Sequence, residues 1–198
     1  MENRLINGLG IGLFITVAVA PPCLSASTLR LTLVIYDRAY VGPKTLTAAE
    51  NTVSEIFETA NVQLIWRDGF SYAAERHAAR NLAPEDPATL IITIQPESKA
   101  GQYGVGSVCG GVAFEASTVV FARSFYSSGT PSVATHLGYV MAHELGHILL
   151  GPNAHATVGI MRGTLLPRDW EKAAQGRLGF SHSQNQQIRR WIAQRSRR

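Results

Sequence analysis

The feature that most limits what this chain can fold into is a run near its middle, Val133 to Leu149, apolar around most of a helical circumference. Val133, Leu137, Val140, Met141, Leu145, Ile148 and Leu149 recur at helical spacing, and Gly151-Pro152 closes the run. A helix that is greasy on nearly all sides has to sit inside a domain. Into that helix the sequence places His143-Glu144-Leu145-Gly146-His147. Two imidazoles and a carboxylate are costly in such surroundings unless they have partners.

Spacing says what the partner is. A helix advances about 100° per residue, so side chains four apart share a face, one turn above the other. His143 and His147 therefore stand side by side, with Glu144 next to them. Two neutral imidazole nitrogens plus a third ligand make an open zinc site that keeps a position for water, and an adjacent carboxylate takes a proton from that water. A third histidine, His155, follows the Gly-Pro turn. The chemistry is that of a zinc peptidase with one zinc per chain, Glu144 as general base, and a protein or peptide as substrate.

The rest of the chain reads as one domain. Its 198 residues, 45% hydrophobic and 16% charged, suffice for a core without staples and exclude global disorder. Thr28 to Asp37 alternates as a strand does, and Val62 to Trp66 and Thr89 to Gln95 are two further strands. Between the last two, a helix is expected within Tyr72 to Asn81. Leu46 to Ala60 is an amphipathic helix with Thr45 or Thr47 as its cap. Val112 to Glu115 and Thr118 to Ala122 form a hairpin-like pair, with Gly111 to Glu115 as the exposed strand along which an extended peptide would lie. Thr130-Pro131 starts the apolar helix. Ser181 to Gln194 is a closing helix anchored by Ile188, Trp191 and Ile192.

At the amino terminus, Arg4 precedes an apolar stretch from Leu5 to Ala20, then Pro21-Pro22 and the small-residue site Leu24-Ser25-Ala26. This pattern predicts a signal peptide over 1–26 and a catalytic domain over 27–198, exported to a periplasmic or extracellular location. The stretch is shorter than the roughly 20 residues of a spanning helix, so no stable membrane span is expected once the leader is removed.

Several motifs are read as carrying no chemistry. The glycine-rich Gly101 to Gly111 has Cys109 where a dinucleotide loop needs its third glycine, so a glycine-rich turn is expected. Cys23 and Cys109 are too few for a disulfide framework or an all-cysteine metal site. The net charge of +4 owes much to Arg189, Arg190, Arg195, Arg197 and Arg198. Without interleaved aromatics these read as a solvated helix end, and no nucleic-acid partner is expected. His77 and His182 lie on the surface in this reading, and His136, two turns before His143, is a polar residue near the helix start.

From Tyr139 to Gly163 the chain resembles the metzincin group of zinc peptidases, on His143, Glu144, His147, Gly151, His155 and Met161. The group's usual H-E-x-x-H-x-x-G-x-x-H is stretched here. Gly151 falls one residue late and His155 two, and Asn153 occupies the usual third-ligand position. The resemblance implies an α+β fold of zincin type: a mixed β-sheet, an active-site helix and a small carboxy-terminal helical subdomain. It further implies His143, His147 and His155 as zinc ligands and Met161 as the methionine of a tight turn beneath the metal. Two alternatives remain at this stage. One is a gluzincin-like peptidase whose third ligand is a carboxylate, with Glu171 as candidate; the other is a non-catalytic binding module that keeps zinc only as structure.

Overall fold

The computed structural model describes residues 28–71, 88–96, 111–113, 117–122, 132–151 and 153–197. The expected leader, the expected helix within Tyr72 to Asn81, His77 and Cys109 lie outside them. Among the described residues, no helix is long and apolar enough to cross a membrane.

The elements run β1 (Leu29–Asp37), α1 (Pro43–Glu58), β2 (Val62–Asp68), β3 (Thr89–Pro96), β4 (Gly111–Ala113), β5 (Ser117–Ala122), α2 (Val133–Leu150), α3 (Pro167–Ala174) and α4 (His182–Arg195). The five strands form one mixed sheet in the order β2-β1-β3-β5-β4. β1 lies parallel to both β2 and β3, and β3 parallel to β5. β4 alone is antiparallel, pairing with β5 at the sheet's edge through Gly111↔Val120 and Ala113↔Thr118. The fold is the α+β arrangement expected, and α2 packs against both β4 and β5.

Parallel strands need crossovers, and α1 supplies the one between β1 and β2. Period-two alternation sends Leu31, Leu33 and Ile35 of β1 and Leu90, Ile92 and Ile94 of β3 to one face. There they join Val53, Ile56 and Phe57 of α1 and Leu137, Met141 and Leu145 of α2 in one buried cluster. Apolar groups thus withdrawn from water contribute roughly 1.5–3 kcal/mol for each large side chain. The core holds α2 from beneath, and this packing gives the histidines of α2 a rigid base.

Two helix starts differ from expectation. α1 begins at Pro43, with Gly42 as its cap residue and no side-chain cap from Thr45 or Thr47. Proline's fixed φ suits the first helical position, so the Gly42-Pro43 step sets the boundary and both threonines fall inside the helix. α2 begins at Val133, later than the Thr130-Pro131 signal, because the Ser132 side chain accepts the Thr135 backbone N–H. The closing helix agrees closely: Ser181 caps α4 in a reciprocal box with Gln184, and Ile188 and Ile192 are buried. Arg189 fixes α4 to the rest by donating from Nη1 to the carbonyls of Ala60 and Asn61, each at 3.0 Å.

Candidate metal centre

α2 spans 18 residues and ends where Gly151 takes φ 99°, a left-handed-side conformation that glycine adopts without strain. The chain turns back there and delivers His155 to the imidazoles of α2. The Nε2 atom of His147 lies 3.1 Å from that of His143 and 3.2 Å from that of His155. Each of the three residues offers one ligand atom, and all these atoms fall within 4.8 Å of one another. His143 and His147 are half-buried, whereas His155 is exposed.

The donor set suits a metal in three ways. Tetrahedral zinc with Zn–N of 2.0–2.1 Å separates its ligand nitrogens by about 3.3 Å, close to the two shortest Nε2 spacings. The Nδ1 atom of His143 lies 2.8 Å from the Ile160 carbonyl oxygen. That oxygen can only accept, so Nδ1 carries the proton and Nε2 presents its lone pair to the cluster. Finally, the two helical imidazoles are held neutral. Burial depresses the His143 pKa, opposed in part by the Ile160 contact. Burial also leads in lowering His147 to about 4, with His143 and His155 adding repulsion. Neutral imidazole is the form that binds metal.

The three histidines brought together are those that the metzincin resemblance implies as ligands.

Glu144 sits on α2 between the two helical histidines and is 5% exposed. Glu171 is exposed on α3, and the metal-capable group among the described residues contains His155 in place of a carboxylate. Asn153, at the usual third-ligand spacing, is exposed and does not belong to that group either. Of the two extra residues, one precedes Gly151 and one lies between Gly151 and His155.

Met161 is fully buried beneath α2. A Cβ added to Gly146 would overlap the Met161 Sδ and come within 3.0 Å of Phe180 Cε1. The glycine between the two histidines is therefore the floor's contact point, and a larger residue there would force the Met161 thioether or the helix to shift. The turn itself is closed by Ala156 N–H donating to the Met161 carbonyl at 2.8 Å and by Ile160 N–H donating to Gly179 O at 3.1 Å. Sequence reading did not identify Gly146 or the Ile160 carbonyl. The former had a signal, since glycine within a helix costs about 1 kcal/mol against alanine and needs a reason. The latter is a backbone atom and has none.

His136 is on the helical face expected from its spacing, but its ring stacks on Trp170 of α3 at 4.0 Å between centroids. His182 is on the surface.

No protein-family model matches the chain, and no curated protein does. Among solved structures, an archaemetzincin from Methanopyrus kandleri is similar, with a TM-score of 0.48 and 14% identity over 85% of this chain and 98% of that one. What the centre can do chemically follows from its own side chains.

Proposed function

We propose that the chain is a zinc-dependent endopeptidase, with one zinc per chain held by the Nε2 atoms of His143, His147 and His155. The observation that carries this reading is the convergence of three imidazoles, two of them depressed in pKa, beside the buried carboxylate of Glu144. Zinc bound there would polarise the substrate carbonyl and bring the pKa of a water toward neutrality.

The chain's own groups account for the rest of the hydrolysis. Glu144 accepts a proton from the attacking water as its oxygen bonds to the carbonyl carbon. The same carboxyl then returns that proton to the departing amine nitrogen as the C–N bond breaks. Ile160 keeps the His143 ring in one tautomer and one orientation throughout. β4 is the sheet's edge strand, and no described strand pairs with its outer side. An extended peptide adding there would gain main-chain hydrogen bonds that do not depend on its side chains. Residues 1–26 act as an export signal in this reading, and 27–198 as the catalytic domain.

Glu144→Gln separates this mechanism from a structural zinc site. The ligands are untouched, so the variant should bind one zinc per chain. Its cleavage of a diverse peptide mixture should fall by on the order of 10²–10⁴-fold with the base removed. Cleavage at the wild-type rate would refute the mechanism, and zinc binding without cleavage by the wild type would favour the binding module.

A further inference from the structure

Two of the three imidazoles stand on a buried helix, but His155 is exposed and lies on a turn. Something must hold it at the right distance. Apart from His143 and His147, the contacts that place it come from one short segment. Ala156 N–H bonds the Met161 carbonyl, and Ala156 and Arg162 form an isolated bridge. The backbone of Gly163 lies so close to the His155 ring that an added Cβ would be 3.3 Å from Nδ1. The place of His155 is thus the place of residues 161–163.

That segment is tethered in turn. Arg162 Nε lies 3.2 Å from Asp169 Oδ2, with the side chains 18% and 4% exposed. The same Asp169 oxygen accepts the Leu166 N–H at 2.9 Å, which fixes the carboxylate at the start of α3. α3 is fastened to α2 by the His136–Trp170 stack and by the Tyr139 hydroxyl donating to the Ala173 carbonyl at 3.3 Å. The contacts form a closed loop. They leave α2 at His136 and Tyr139, cross α3 to Asp169, pass through Arg162 to the turn, and return with His155 to His143 and His147.

Given the zinc reading above, we propose that the Arg162–Asp169 pair positions His155, making both side chains determinants of metal affinity although neither touches the site. The contact is one of charge, since Arg162 Nε makes no hydrogen bond, and losing one of two such little-exposed partners leaves the other's charge without compensation. The turn would then be free to carry His155 away from the helical imidazoles.

The test is zinc affinity of the full chain, measured by competition with a chromophoric chelator. Asp169→Asn keeps an oxygen for the Leu166 N–H and removes only the charge. It should weaken zinc binding by about 10–100-fold, the usual cost of a lost partner behind a ligand. Arg162→Lys retains the charge opposite Asp169 and should lose much less affinity than Arg162→Gln. Ile188→Val, on the buried face of α4 and outside the chain of contacts from α2 to His155, serves as a control for general destabilisation and should leave the affinity within about twofold. If Asp169→Asn does not fold, Arg162→Gln, which leaves the α3 cap intact, is read in its place with the same expectation. Wild-type affinity in the charge-removing variant would overturn the proposal, as would an equal loss in Ile188→Val. Failure of the wild type to bind zinc would overturn the zinc reading itself, a result separate from either.

Discussion

Gly146→Ala gives a sharp test of the contact beneath the metal centre, because two effects of opposite sign compete there. Alanine in place of glycine inside a helix stabilises by up to about 1 kcal/mol. Against this, the new methyl would overlap Met161 Sδ and press on Phe180, two side chains packed in the core. Overpacking of a filled core costs about 1–3 kcal/mol. The second effect wins, and the metal-free variant should be less stable than wild type by on the order of 1 kcal/mol. Met161→Ala alone should lose about 2–5 kcal/mol, the usual range for truncating a buried methionine. In the double variant the methyl of residue 146 enters space vacated by the thioether. The two losses should then fall short of their sum by about 1 kcal/mol or more. Urea unfolding of the four metal-free proteins measures all of these quantities. A Gly146→Ala variant more stable than wild type, or losses that add to within about 0.5 kcal/mol, would refute the close contact.

Two further outcomes follow from the same structure. The His147 pKa is about 4 when folded, against about 6.5 unfolded, so between those values the unfolded chain binds more protons. Stability of the metal-free protein is therefore fully present above about pH 6.5 and declines as pH falls toward 4; urea midpoints at pH 7.5 and 5 should show the drop, and His147→Asn should reduce it. Ser181 caps α4 by accepting the Gln184 N–H, so Ser181→Ala should cost about 1 kcal/mol in urea unfolding without changing zinc content.

The parts of this molecule that could be read from sequence are those that repeat or that carry their own chemistry. β1 and α2 announce themselves by apolar period, and His143, Glu144 and His147 by a spacing that helical geometry turns into one face. His155 was legible because the Gly151-Pro152 stop lies just before it, although the spacing is stretched relative to the metzincin pattern. What could not be read depends on contacts across the chain. His136 reads as a polar residue near the helix start, yet its ring is stacked on Trp170, thirty-four positions away. Arg162 and Asp169 look like two ordinary surface charges until the turn and α3 bring them together. The start of α1 differs from expectation for a local reason: Thr45 and Thr47 have the hydroxyls of cap residues, but the Gly42-Pro43 step sets the boundary before them.

The central claim is that three histidines, and no carboxylate, make the metal centre. Zinc per chain, measured by elemental analysis on purified wild type, His155→Ala, Asn153→Ala and Glu171→Ala, tests it most directly. The account predicts one zinc in wild type and in the Asn153 and Glu171 variants, and severe loss in His155→Ala, because histidine outcompetes an amide for zinc and Glu171 lies outside the cluster. Stoichiometric zinc in His155→Ala together with its loss in Glu171→Ala would contradict the account and make the carboxylate the third ligand.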